Sequence, residues 1–82
     1  MTFEELREEV HRQPFRPFRL VLTTGEKYDI HHPDLIMVGR RSVVVGITED
    51  ENGIAFDRLA RVDLFHVVRT EELPSPLHSD GN

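Results

Sequence analysis

The residues best suited to chemistry in this chain are histidines with acidic neighbours. His31 and His32 adjoin Pro33 and Asp34, and His66 lies further along the chain. Imidazole and carboxylate groups bind zinc, so one histidine with Asp34 and His66 is a candidate metal site. Adjacent residues of a strand point to opposite faces, however, and His31 and His32 are poorly placed to bind the same ion. The pattern favours a solvated strand end, and we expect no metal site.

A hydrolytic site would need a nucleophile, a base and a group that orients the base. Ser42 is the candidate nucleophile, but it lies at a predicted hairpin tip, where a pocket that excludes water is hard to build. The chain has no cysteine, no glycine-rich phosphate loop, no HExxH pattern and no nucleophile elbow. We therefore predict a protein that is not an enzyme, with no catalytic residues, no cofactor and no small-molecule substrate.

Arginine side chains are the candidate binding residues. Arg40 and Arg41 lie at a predicted hairpin tip, and Arg61 and Arg69 lie on later predicted strands. Together they could form a basic rim that contacts phosphates. The whole chain carries a net charge of -5, and the acidic residues 49–51 would repel a polyanion nearby. The charge pattern leaves RNA binding open and favours a protein partner or self-association.

The length of 82 residues allows one domain, and a chain of this size buries only about 60% of its unfolded surface. We expect residues 1–72 to form a single helix-plus-β-barrel domain and residues 73–82, which lack periodicity, to form a flexible tail. The first residues are acidic where a signal peptide is basic, and no apolar run approaches the roughly 18 residues that span a bilayer. These features predict a cytoplasmic protein without membrane association.

A helix is predicted over residues 3–12. Thr2 and Glu5 have the spacing of a capping box, and Pro14 prevents the helix from continuing. The apolar side of this helix consists of Phe3, Leu6 and Val10. The stripe is narrow, so the helix should lie on a sheet rather than inside a core.

The first predicted hairpin follows the proline-rich elbow at residues 14–17. Apolar residues alternate along residues 18–22 and again along 28–30. An odd-length loop centred on Gly25 would place Leu22 opposite Tyr28 and Leu20 opposite Ile30, whereas an even loop would oppose leucines to charged residues.

Two further hairpins share one apolar face. Centring the turn at residues 39–42 opposes Val38 to Val43 and Ile36 to Val45. Asn52-Gly53 is a strong signal for the next hairpin, in an acidic loop. Folding there yields two more apolar pairs, Val45 with Ala60 and Val43 with Val62.

The last predicted strand begins at Val67, after a gap at residues 63–66 that suits a single tight turn. On the other face of the sheet, these registers place the apolar residues Val21, Met37 and Val44. We expect the helix to cover some of them and any remainder to be exposed apolar surface. Such a surface, or an open strand edge, favours association with a second copy or a partner.

The order of one helix and five strands, with a one-turn break before the last strand, resembles the small antiparallel SH3-like and Sm-like barrels. The helix and the run from Leu20 to Gly25 resemble the opening of Sm-like proteins such as the Hfq RNA chaperones. That resemblance implies an RNA-binding oligomeric ring. The Sm RNA-binding motifs are not present at 34–37 or at 59–63.

A second resemblance rests on the opening Met1–Arg7 and the elbow Pro14–Arg19, which are similar to those of a group of short uncharacterised bacterial proteins. This resemblance implies no particular activity. The sequence thus predicts a non-catalytic interaction module, with the Sm-like ring as the alternative.

Overall fold

A computed structural model describes residues 1–50 and 53–74. One α-helix precedes six strands: α1 (Phe3–Val10), β1 (Phe18–Leu22), β2 (Lys27–Ile30), β3 (Ile36–Val38), β4 (Ser42–Ile47), β5 (Arg58–Asp63) and β6 (Val67–Glu72). Short 3-10 helices lie before β3 (Pro33–Leu35) and before β6 (Leu64–His66). No helix in the described ranges has both the length and the apolar character needed to cross a bilayer.

The predicted capping box at the start of α1 is confirmed. The Thr2 hydroxyl accepts the backbone N–H of Glu5 at 3.1 Å, and the Glu5 carboxylate accepts the backbone N–H of Thr2 at 3.0 Å. The hydrogen bond from the Thr2 backbone N–H is the main cause of the lowered pKa of the Glu5 carboxyl. The helix ends at Val10 rather than at residue 12, since His11 is already its C-cap, with φ -95° and ψ 10° and its N–H donating to the Arg7 carbonyl.

The strands form two antiparallel sheets, which we call sheet A (order β2-β1-β6) and sheet B (order β3-β4-β5). A mainly β fold with an N-terminal helix is therefore confirmed. The prediction of five strands is wrong, and the described residues form no closed barrel. The reason is local: the 3-10 helix Pro33–Leu35 separates β2 from β3, so each of these strands belongs to a different sheet.

The predicted register of the first hairpin is wrong by two residues. Leu20 lies opposite Tyr28 rather than Ile30, and the Leu22 N–H donates to the Glu26 carbonyl at 2.9 Å. Gly25 is not the centre of the turn; its φ of 92° places it at the left-handed position that follows the turn. A shift of two residues leaves every side chain on its predicted face, so Leu20 still points into the core.

The predicted registers of sheet B are confirmed. The observed pairs are Val38 with Val43, Ile36 with Val45, Val45 with Ala60 and Val43 with Val62. The tight turn before the last strand is also confirmed as the 3-10 helix Leu64–His66. Of the predicted β4–β5 turn, Asn52 lies outside the described residues, as does the predicted flexible tail from residue 75 onward.

The core lies between the inner faces of the two sheets and α1. Leu6, Phe18, Leu20, Ile30, Val43 and Val45 are its most deeply buried large side chains. Leu6 and Val10 of the helix therefore join the inner-face residues. Of the predicted outer-face set, Met37 remains 68% exposed, which agrees with the expectation that part of this set forms exposed apolar surface.

Candidate interaction surfaces

The outer face of sheet B is apolar across all three of its strands. Met37 of β3 lies opposite Val44 of β4, and Leu59 of β5 lies opposite Gly46 of β4. Val44 and Gly46 are two residues apart on β4 and therefore lie on the same face, so these two cross-strand pairs are neighbours on that face. Met37 is 68% and Leu59 is 60% exposed. Large apolar side chains are therefore exposed on β3 and β5, the two strands that flank β4.

Phe56 extends this surface because Gly46 has no side chain. A Cβ built on Gly46 would lie 3.1 Å from the Phe56 Cβ and 3.2 Å from the Leu35 Cδ2. Phe56 and Leu35 thus close over the space that a side chain would take. Leu35 is buried by this packing, whereas Phe56 stays 52% exposed. We call Met37, Val44, Leu59 and Phe56 the apolar face.

The outer face of sheet A has the opposite character. Arg19 of β1 contacts Asp29 of β2, with 2.6 Å from Nε to Oδ1 and 3.2 Å from Nη2 to Oδ2. On β6, the Arg69 Nη2 donates to the Glu71 carboxylate at 2.7 Å. These hydrogen bonds lower the pKa of Asp29 and of Glu71 below their ordinary values. The charges of this face are therefore largely paired within the chain.

Val21 is the apolar exception on the outer face of sheet A, and it is buried. It lies between Lys27 of β2 and Arg69 of β6 in the strand register. Long basic side chains of this kind lay their methylene stems along apolar neighbours while their charged ends reach water. Val21 therefore does not add to the exposed apolar surface.

The free edge of β2 is the second candidate surface. Among the described strands, β2 pairs with β1 alone. The hydrogen bond from Leu22 to Glu26 makes this a hydrogen-bonded pair, so Tyr28 also directs its backbone groups toward β1. By alternation, Lys27 and Asp29 direct their N–H and C=O groups away from β1. These groups face an open groove of about 560 Å³, whose other wall is residues 45–49.

The four arginines predicted to bind do not form one cluster. Arg40 lies at the β3–β4 turn with its guanidinium 5.9 Å from the centroid of the Phe3 ring, and Arg41 is next to it. Arg61 lies opposite Val44 on sheet B, whereas Arg69 lies on sheet A and is hydrogen-bonded to Glu71. The four residues therefore lie at one turn and on two different sheets, with Arg40 and Arg41 adjacent in the chain.

The histidines of the candidate metal site have separate local roles. The His32 Nδ1 accepts the backbone N–H of Asp34 at 3.2 Å, at the start of a 3-10 helix. The His66 Nδ1 lies 3.2 Å from the Thr23 hydroxyl oxygen, next to the turn before β6. Within residues 1–50 and 53–74, no group of three or more histidines and carboxylates has an arrangement that could hold a metal ion.

Sequence reasoning located part of the apolar face and missed the rest. Alternation predicted Met37 and Val44 on the outer side, and the same alternation along β5 places Leu59 there, although Leu59 was not predicted. Phe56 precedes β5 and has no periodic signal. The free edge of β2 became visible only when the break between β2 and β3 was known.

No protein-family model matches this chain. Neither the curated proteins nor the solved structures contain a significant match.

Proposed function

We propose that this protein is a non-catalytic β-sheet interaction module that binds a protein partner or a second copy of itself. The observation that carries this proposal is the apolar face, on which Met37, Leu59 and Phe56 are each more than half exposed. Exposed apolar side chains on one face of a sheet lose contact with water when a partner covers them, and this favours association.

The size of the apolar face agrees with modest affinity. Fully burying one large apolar side chain contributes about 1.5–3 kcal/mol, and only the exposed part of each side chain counts here. Association itself costs at least about 4 kcal/mol in lost translational and rotational freedom. The three partly exposed side chains together contribute about as much as the lower end of this cost, so we expect a transient interaction unless a partner also contacts polar residues beside them. Arg61, which lies opposite Val44 on the same face, and Asp63 of β5 are exposed and supply polar contacts.

The alternative is an Sm-like RNA-binding ring, and the element order favours it. A helix precedes the strands, and a one-turn 3-10 helix separates the last two strands, as in the SH3-like and Sm-like proteins that the sequence resembles. The pairing of Arg69 with Glu71 weighs against this alternative, because Arg69 would have to exchange that carboxylate for a phosphate.

Site-specific photo-crosslinking tests the proposal. A benzophenone amino acid is placed at position 59 on the apolar face or, as a control, at position 8 on the exposed side of α1, in cells that make the protein. We expect protein adducts from position 59 and few from position 8. The substitution Met37→Asp should then reduce the adduct, because it places a charge within the same surface. Equal labelling at both positions would remove the apolar face as the binding surface, and adducts with RNA would favour the alternative.

A further inference from the structure

We propose that β2 pairs with the β2 strand of a second copy of this chain, antiparallel and with Tyr28 opposite the partner's Tyr28. This joins two copies of sheet A into one six-stranded sheet. The inference deepens the proposed function and rests on it in one respect: it takes self-association as a mode of interaction. It uses the β2 edge rather than the apolar face.

The first argument is the direction of the backbone groups. Lys27 and Asp29 direct their N–H and C=O groups away from β1 and toward the groove beside β2. An unpaired strand edge is a template for another strand. In the proposed pairing, Lys27 and the partner's Asp29 exchange two hydrogen bonds, and the symmetry of the dimer repeats the exchange.

The second argument is charge complementarity, which selects the register. The dimer has two-fold symmetry, and the outer faces of both copies of sheet A lie on the same side of the joined sheet. When Tyr28 lies opposite the partner's Tyr28, Lys27 lies opposite the partner's Asp29, and the symmetry creates this pair twice. A register centred on Asp29 would instead oppose two carboxylates. Opposite charges across strands stabilise a pairing and like charges destabilise it. Asp29 would then lie between Arg19 of its own chain and the partner's lysine, which is the only lysine in the sequence.

The β5 edge lacks this complementarity. The Ile47 carbonyl accepts the Asp57 N–H, so Ile47 directs its backbone groups toward β5, and by alternation Val45 and Val43 do the same. Their partners on β5 are Arg58, Ala60 and Val62, and the backbone groups that point away from β4 therefore belong to Leu59, Arg61 and Asp63. The two symmetric registers with the most overlap place Arg61 opposite Leu59 or opposite a second Arg61. Neither forms an ion pair, so the charges favour self-pairing at β2 over self-pairing at β5.

Disulfide trapping tests the register directly, since the chain has no cysteine of its own. Directly opposed residues of a non-hydrogen-bonded antiparallel pair have Cα atoms about 4.5 Å apart, within the roughly 4.4–6.8 Å that disulfides span. Under mild oxidation, Tyr28→Cys should form a covalent dimer much faster than Glu8→Cys on the exposed side of α1. Equal rates for the two variants would overturn the proposal.

A charge exchange tests the same contact without the loss of Tyr28 from the core. Lys27→Glu and Asp29→Lys each oppose like charges in their own dimers, so each should dimerise about tenfold or more weakly than the wild type in sedimentation equilibrium at low salt. An equimolar mixture restores both opposite-charge pairs and should recover the dimer. If Asp29→Lys does not fold, Asp29→Asn replaces it, with partial recovery expected. Arg58→Glu on β5 matches the charge change of Lys27→Glu and should leave dimerisation unchanged.

The outcomes separate this inference from the proposed function. If the wild type is a dimer and Lys27→Glu does not weaken its dimerisation, the β2 contact is overturned, and self-association through the apolar face still stands. A wild-type monomer at all concentrations also overturns the β2 contact, whereas photo-crosslinked protein at position 59 would still support a protein partner. Absence of crosslinks at position 59 together with recovery in the charge exchange would retain the β2 contact and remove the apolar face.

Discussion

Arg19 and Asp29 make a two-point contact across β1 and β2, at 2.6 Å from Nε to Oδ1 and 3.2 Å from Nη2 to Oδ2. This paired geometry holds the carboxylate at the edge of sheet A and lowers its pKa, chiefly through the hydrogen bond from Arg19 and then through the arginine's charge. The same contact keeps Asp29 charged where we propose that a second copy supplies a lysine.

The stabilising effect of this contact should depend on pH. Asp29 has a lower pKa in the folded state than in the unfolded chain, where it is about 3.9. Its contribution to the unfolding free energy is therefore fully present above the unfolded pKa and is lost as the pH falls through the folded pKa. Urea unfolding of the wild type and Asp29→Asn should show a small, constant difference at neutral pH that shrinks in acid. A difference that grows below about pH 4 would contradict this assignment.

A side chain at position 46 should lower the unfolding free energy while Phe56 is present. The substitution Gly46→Ala places a methyl group 3.1 Å from the Phe56 Cβ and 3.2 Å from the Leu35 Cδ2. Overpacking of this kind costs about 1–3 kcal/mol. In the background Phe56→Ala only part of the crowding is relieved, because the Cβ of residue 56 remains, so the cost should fall without vanishing. A double-mutant cycle from urea unfolding measures this coupling, and strict additivity would show that Phe56 does not pack on Gly46.

The effect of truncating a large apolar side chain on the unfolding free energy should depend on how deeply that side chain is buried. Leu6 is completely buried in the core, whereas Phe65 is 83% exposed. Leu6→Ala should lower the unfolding free energy by about 2–5 kcal/mol, since it removes buried methyl groups and leaves a cavity. Phe65→Ala should change the unfolding free energy by no more than about 0.5 kcal/mol. Thermal or urea unfolding of both variants checks this difference, and a similar cost for each would mean that Phe65 is covered in solution.

Salt dependence separates the interaction module from the RNA-binding alternative. Contacts to phosphates release counterions, so RNA affinity falls steeply with salt. We expect no retention of a labelled single-stranded RNA at low salt, because the chain is net negative and Arg69 is paired with Glu71. Retention that weakens with salt and with Arg61→Gln, but not with Arg12→Gln in the exposed segment that follows α1, would instead support the alternative.

The local elements of this protein follow from short-range patterns. The capping box of Thr2 and Glu5 needs only one turn of helix, and the apolar pairs of sheet B need only alternation and a turn between neighbouring strands. The first hairpin marks the limit of such reasoning. Which residues of this hairpin face the core was predictable, because charged residues would otherwise lie inside. Which residue lies opposite which depends on the backbone conformation of Gly25.

The candidate surfaces depend on longer-range relationships. The apolar face needs Phe56, which precedes β5, to close over Gly46 of β4, and no local period records that contact. The four arginines were grouped by charge, yet Arg61 and Arg69 lie on different sheets because the 3-10 helix Leu64–His66 carries the chain from one sheet to the other.

The sequence by itself determined which residues alternate between core and solvent, where the helix begins and which strands of sheet B pair, because each of these depends on near neighbours in the chain. Only the tertiary structure decided that the six strands divide into two sheets and that β2 keeps a free edge. The 3-10 helix Pro33–Leu35 carries the chain from β2 in sheet A to β3 in sheet B, and its Leu35 side chain lies beside Gly46 of β4. That packing joins parts of the chain that are distant in sequence, and no local pattern encodes it.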